Sequence, residues 1–199
     1  KNRTKMYKEN IQREKIYQNL KKERQSLDNW IKSLNLKLTI ESIFIKNQNH
    51  QRFIQLFNRT NQFNLSGNKY NNYSFSKVLE KSNNEFYYGS TSDRIGNEGI
   101  IAVIGFEISE KSIVINEYIL SCRVFGKYIE EAMLLPILDH AIDKKYKIIF
   151  KFKENERNHS IKKFISTIEA NDYILNFNQI KSLRRKILAL PLKIIDKRL

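Results

Sequence analysis

The spacing of apolar positions changes period several times along the chain, and each change marks an element. Over residues 3–35, Met6, Tyr7, Ile11, Tyr17, Leu20, Leu27 and Ile31 form a sparse stripe among charged residues. That spacing predicts one long, mostly polar helix, of the kind that bridges domains or packs through a narrow seam. Trp30, Ile31 and Leu34 would anchor its end to the core. Alternation over residues 36–45 (Leu36, Leu38, Ile40, Ile43, Ile45) predicts a first strand. Phe53, Ile54, Phe57 and Thr60 give the core face of a helix over 49–65, with Asn47 or Asn49 as its cap. A polar stretch over 66–84 holds one short helix, 74–81. Three β-branched and aromatic runs follow, 85–91, 99–108 and 112–124. Their connections are short enough for an antiparallel meander. Next come a helix over 127–144, kinked by Pro136, and a strand over 146–152. The latter adjoins the first meander strands after a helical crossover. A helix over 158–170 buries Ile161, Phe164, Ile165 and Ile168, and short strands over 172–177 and 187–191 close the chain. The predicted class is α/β (α+β): a mixed, largely antiparallel sheet flanked by helices. A helical arm, 1–35, precedes a domain over 36–199.

The chemistry concentrates in residues 117–136. A β-branched run ends in Ser121-Cys122-Arg123, a turn at Phe125-Gly126-Lys127 follows, and Ile129, Ala132, Met133 and Ile137 then fall at helical spacing. Backbone N–H groups at such a strand-to-helix turn, with the positive end of the helix behind them, form an anion site. Arg123 and Lys127 would add charge-assisted bonds, and Gly126 would let the backbone approach a phosphate closely. Such a turn also needs glycine for geometry alone. Cys122 is the only cysteine. A helix start and a neighbouring arginine both favour the thiolate, whereas a lone cysteine at a strand end also serves as a small buried hydrophobe. Strict alternation puts Glu117 and Arg123 on one face of the strand and Cys122 on the other.

Composition narrows the partners. The formal charge of +15 over 199 residues favours anionic ones, although a solvated lysine-rich surface is the more common account of charge of this kind. No zinc finger, RRM signature or KH loop points to nucleic acid. No apolar run approaches the ~20 residues of a transmembrane helix. The single cysteine suits a reducing cytoplasm, and His50, His140 and His159 are dispersed without metal-ligand spacing. No two aspartates stand two residues apart, so metal-dependent phosphatase chemistry is not expected of this chain alone. It begins with Lys1 rather than Met, which suggests a piece of a longer protein.

Other stretches carry polar groups with two readings each. Asn61, Gln62, Phe63 and Asn64 form an amide-rich block that either holds a polar ligand or fixes its own loop. Asp93 and Arg94 open a connection containing Gly96, where Asp93 could orient a hydroxyl or act as a base, or bond its own backbone. Asn155, Asn158 and His159 follow the fifth strand. The basic, amphipathic stretch 183–199 could meet a membrane or an acidic protein, and its alternation also fits a final strand.

Three blocks, 55–65 with Asn-Gln-Phe-Asn-Leu, 93–99 with Asp-Arg-Ile-Gly-Asn-Glu-Gly, and 121–126 with Ser-Cys-Arg-Val-Phe-Gly, resemble in order and content the C-terminal half of FkbH-like proteins. The likeness covers roughly residues 35–175. The Arg-x-x-Gly turn itself resembles the pyrophosphate loop of the GNAT acyltransferase superfamily, with Tyr128 where that loop usually has a small residue. The resemblance implies a GNAT-like sheet, splayed after its fourth strand, with an acyl thioester entering the gap. It implies an acyltransferase acting with an acyl carrier protein and a HAD-type phosphatase-like half, joined through the arm at 1–35, to load a glyceryl-type unit onto a phosphopantetheine thiol. Carrier-borne phosphopantetheine is expected in preference to free coenzyme A. The residues implied are Cys122, Asp93 and Glu117 for catalysis and Arg123, Val124, Phe125, Gly126, Lys127, Tyr128, Asn155 and Asn158 for the phosphopantetheine. Asn61, Gln62, Phe63, Asn64 and Arg94 would serve the substrate. Two alternatives stand beside this reading: a GNAT enzyme moving an acyl group from CoA to an amine or hydroxyl, and a non-catalytic docking module for a carrier protein.

Overall fold

The computed structural model describes residues 2–22, 26–44 and 49–198. The helix expected over 3–35 is two helices, α1 (Asn2–Lys22) and α2 (Leu27–Leu34). Ser26 starts the second: its side chain accepts the Asn29 N–H at 3.3 Å, the usual work of a serine N-cap. Asn35 ends it in the left-handed region at φ 50°. Trp30, Ile31 and Leu34 are buried, as their spacing predicts. The α1 helix is polar yet docked, with Glu9 and Arg13 buried. The side chains of Met6, Tyr17 and Leu20, and residues Ile45 and Asn47, lie outside the described residues.

After β1 (Lys37–Ser42), α3 (His50–Arg59) stops well short of the predicted end at 65. Thr60 turns extended, φ −94° and ψ 122°. Residues 63–65 then gain backbone partners on a neighbouring strand that a continued helix would forgo. The α4 helix (Asn72–Leu79) begins with a reciprocal cap between Asn71 and Ser74. The predicted meander is β2 (Asn84–Ser92), β3 (Asn97–Ser109) and β4 (Ser112–Leu120). β4 ends before the predicted residue 124, because Cys122–Val124 wind into one turn of 3-10 helix.

The single helix expected over 127–144 is two, α5 (Ile129–Ala132) and α6 (Leu135–Lys144). Pro136 sits in the first turn of α6, where its missing N–H has no intrahelical partner to lose. β5 (Lys147–Phe150) pairs in parallel with β4, the last meander strand rather than the first ones. Then follow α7 (His159–Thr167), β6 (Ile174–Leu175), α8 (Phe177–Leu188) and β7 (Lys193–Asp196). Helix α8 replaces the strand expected over 187–191. Ile180, Leu183 and Ile187 recur at helical spacing and are buried, and Asn176 caps it through the N–H groups of Asn178 and Gln179. The apolar face of this basic stretch is therefore spent on the core.

Among the described residues, seven strands form one sheet in the order β6-β5-β4-β3-β2-β1-β7. The pairs β4–β5 and β1–β7 are parallel and the rest antiparallel. One face packs the larger core against α2, α5, α6, α7 and α8. The other packs Phe53, Phe57, Phe75, Phe86 and Tyr88 under α3 and α4. Alternation sorts neighbouring residues between them, Tyr87 to the first and Phe86 and Tyr88 to the second.

The sheet opens between β4 and β5. Their pairing runs only from Ser112 to Ile115 against Lys147 to Phe150. Asn116 is an extra residue in β4, bulging at the Gly105/Phe106 step of β3, and a bulge bends and twists its strand. Residues 63–65 run through the opening as a strap. Leu65 N–H donates to Tyr118 O at 3.0 Å, Leu120 N–H to Phe63 O at 3.2 Å, and Lys153 N–H to Leu65 O at 3.0 Å.

Candidate functional site

At the C-terminal end of β4 lies an open cleft of about 1450 Å³ between α3, the start of β3 and the turn after β4. Helical spacing aims Arg52, Gln55 and Arg59 of α3 into it, since residues at i, i+3 and i+7 share a face. Asn61, Gln62 and Phe125 line the opposite end, with Cys122 and Arg123. Because β4 stops at Leu120, the alternation argument does not apply to the residues after it. Cys122 and Arg123 both face this cleft, and the expectation that the strand holds them apart is corrected. Cys122 is an exposed free thiol. Arg52 donates to Gln55 Oε1 at 2.7 Å and to Ile100 O at 3.0 Å. Burial, then the charges of Arg123 and Arg59, lower its pKa.

Asp93 is not poised as a base. Arg13 of α1 grips it with two bonds, Nε to Oδ2 at 2.6 Å and Nη2 to Oδ1 at 3.1 Å. The N–H groups of Ile95 and Gly96 both donate to Oδ1 at 2.9 Å. Burial alone would raise the Asp93 pKa. The Arg13 bond, those two N–H groups and the Arg13 charge outweigh it and hold the carboxyl below its ordinary value. Arg94 is exposed and off the cleft wall, tied by its backbone N–H to Leu34 O at 2.9 Å.

The turn expected to hold a phosphate is closed by the chain's own groups. Gly126 N–H donates to Glu130 Oε1 at 2.7 Å. Lys127 is buried and donates to Glu98 Oε1 at 3.1 Å, lying over the Trp30 ring. Tyr128 donates to Asp28 at 2.6 Å, and Val124 is core. Burial pushes the Glu130 carboxyl up to about 7, against the pull of the Glu130 and Gly126 N–H groups.

Glu117 stands apart from Cys122, in a second cavity of about 410 Å³ beyond the strap. It is buried and accepts three bonds, from Ser66 Oγ at 2.5 Å, Asn68 Nδ2 at 2.6 Å and the Tyr70 hydroxyl at 2.6 Å. Desolvation, then the Glu117 charge, raises the Tyr70 pKa. Phe63 and Asn64 belong to the strap and are buried; Asn64 Oδ1 accepts the Gly67 N–H at 2.9 Å. Asn158 is the strap's clamp, its Nδ2 donating to Asn64 O at 3.1 Å and Lys153 O at 2.8 Å, its Oδ1 accepting Asn155 N–H at 2.9 Å. Asn155 is exposed and bonds Arg157 N–H at 3.0 Å. Asn61 Oδ1 accepts Lys69 Nζ at 2.9 Å.

Sequence reasoning missed Arg13, Arg52, Arg59 and Glu98. The i, i+7 spacing of Arg52 and Arg59 beside Gln55 was available as a signal. Nothing local announced Arg13, which meets Asp93 across 80 positions of chain. Among the described residues no group of three His, Cys, Asp or Glu side chains could hold a metal ion, and no helix is long and apolar enough to cross a membrane.

A seven-stranded, mostly antiparallel mixed sheet flanked by helices is the fold of GNAT acetyltransferases. The crystal structure of a ribosomal-protein-alanine N-acetyltransferase from Brucella melitensis biovar Abortus 2308 matches it with TM-score 0.50 at 11% identity, over 66% of this chain and 89% of its own. An aminoglycoside acetyltransferase from an uncultured soil metagenomic sample, in complex with sisomicin, gives TM-score 0.44 at 15% identity over 65% and 86% of the two chains. A variant of the spermidine N-acetyltransferase of Vibrio cholerae gives 0.40 at 16% identity over 56% and 67%. At these identities the likeness is one of fold. No protein-family model and no curated protein matches the sequence.

Proposed function

We propose that this chain is an acyl-transfer module acting on a thioester carried by the phosphopantetheine arm of an acyl carrier protein. Cys122 is its acceptor thiol. The observation that carries the reading is the exposed Cys122 thiol on the wall of a large, arginine-lined cleft within a GNAT fold. The Cys122 thiolate attacks the thioester carbonyl; the new C–S bond forms as the bond to the pantetheine sulfur breaks, and that sulfur leaves as a thiolate that takes up a proton. The reverse step delivers the acyl unit to another carrier thiol. Asp93 has no part in this scheme, being bonded to Arg13, and Glu117 lies in the other cavity. The filled opening between β4 and β5 favours a carrier-borne thioester presented at the cleft over free CoA laid along β4. In this reading a glyceryl-type unit comes from a separate phosphatase-like half.

Incubation with an acylated carrier protein is the test, read by mass spectrometry of the intact chain. The expected result is an acyl adduct on Cys122 that hydroxylamine removes and that Cys122→Ser lacks. Full carrier-to-carrier transfer by Cys122→Ser would reduce this cysteine to a surface residue.

A further inference from the structure

Three of the groups that the strand-to-helix turn could offer an anion are already engaged inside the protein. The Gly126 N–H is taken by Glu130, Lys127 by Glu98, and the Tyr128 hydroxyl by Asp28. The opening beside β4 is filled by the strap, whose Phe63, Asn64 and Leu65 are buried. A ligand phosphate therefore needs cations elsewhere, and the open cleft provides them.

Arg52 and Arg59 reach the cleft from one face of α3, and Arg123 reaches it from the turn after β4. Arg52 is half-buried, yet the two bonds that hold it go to neutral acceptors, the Gln55 amide and the Ile100 carbonyl. Its neighbours in charge are Arg123 and Arg59, both like-signed. Carboxylates also line the cleft, each with a partner of its own among the described residues. Glu98 serves Lys127 and Arg13, Glu9 faces Lys5 at 3.9 Å, and Glu41 bonds the Tyr88 hydroxyl. Like-charged guanidinium groups held near one another repel in the empty protein. A bound dianion reverses the sign, and guanidinium groups match phosphate oxygens in geometry as well as charge.

We infer that Arg52, Arg59 and Arg123 form the phosphate seat of this protein, holding a phosphate ester in the open cleft between α3 and the turn after β4 rather than on the backbone of residues 126–128. The inference rests on the reading above in naming the ester. A phosphorylated three-carbon acid offers the same chemistry, so the test includes it.

Calorimetric titration of the whole chain at low salt with phosphopantetheine, pantetheine, phosphoglycerate and inorganic phosphate decides the matter. Phosphopantetheine should bind, and pantetheine should bind at least about 10-fold more weakly. Arg59→Ala and Arg52→Gln should each weaken binding about 10- to 100-fold, the scale of a bond to a charged group, and Arg185→Ala should leave it unchanged. Circular dichroism confirms that the variants fold. Tighter binding of phosphoglycerate assigns the same seat to a phosphorylated donor. Equal phosphate affinity in wild type and a folded Arg52→Gln/Arg59→Ala variant overturns the seat, as does binding indifferent to the phosphate. Acyl transfer persisting in the double variant removes the seat and leaves the acyl-transfer reading standing. Phosphate binding lost in the double variant, with no acyl adduct ever forming on Cys122, keeps the seat and removes that reading.

Discussion

Breaking the Arg13–Asp93 pair removes two bonds where neither side chain reaches solvent, their exposures being 4% and 2%, and leaves Arg13 with Glu98 at 3.7 Å. Removing one partner of a buried pair costs about 3–5 kcal/mol when the other is left alone, so Asp93→Ala, with Glu98 remaining, should lower stability by less than that, about 2–3 kcal/mol, in urea denaturation. Asp93→Asn, which keeps an acceptor for Ile95 and Gly96, should cost less. The pH dependence has a sign. The folded pKa of Asp93 lies below its ordinary 3.8. Its contribution is therefore fully present above that value and is lost as pH falls through the folded pKa. Glu130 works oppositely and in a separate window. Its carboxyl moves from 4.5 up to about 7 on folding, so the folded state holds the extra proton and stability falls as pH rises between those values. Glu130→Gln should flatten that part of the stability–pH curve and leave the acid limb, set by Asp93, unchanged. An unaltered curve in Glu130→Gln would show that Glu130 does not titrate in this range.

Among the elements, the strap over 63–65 is held by three backbone bonds and by the side chain of Asn158. Asn158→Ala strands the carbonyls of Asn64 and Lys153 and the N–H of Asn155. A cost of about 2–4 kcal/mol follows from leaving one or two buried polar groups unpaired. The loosening should be local. Amide exchange at Leu65 and Leu120, which bridge strap and β4, should accelerate more than at the β2–β3 pairs. Uniform acceleration across the sheet would mean that the clamp is not specific to the strap. The strap also shows why helix period alone misleads. Residues 53–60 carry a genuine helical face, and Phe63 continues that spacing. Phe63 is buried instead against Tyr118, Phe125 and Phe164, their ring centroids 5.2, 5.8 and 5.4 Å away.

At the scale of the whole molecule, the elements with strong period were legible. The antiparallel meander and the buried faces of α2 and α7 follow from runs of β-branched residues, helical spacing and short connections. Less was legible of the ends of elements. Ser26, Asn35 and Asn176 set helix boundaries through side-chain bonds and a left-handed backbone, where hydrophobic period is silent. Of the candidate site, the sequence alone determined that a thiol, an arginine and a glycine stand together at the end of a strand, because covalent adjacency guarantees it. Which groups those residues meet was decided only by the tertiary structure. Arg13 reaches Asp93 across 80 residues of chain, Glu130 folds back onto Gly126, and residues 63–65 occupy the opening that the Asn116 bulge creates. Such partners are chosen by packing over long sequence separations, where a buried carboxylate or carbonyl must find a donor wherever the fold brings one, and no local pattern records that choice.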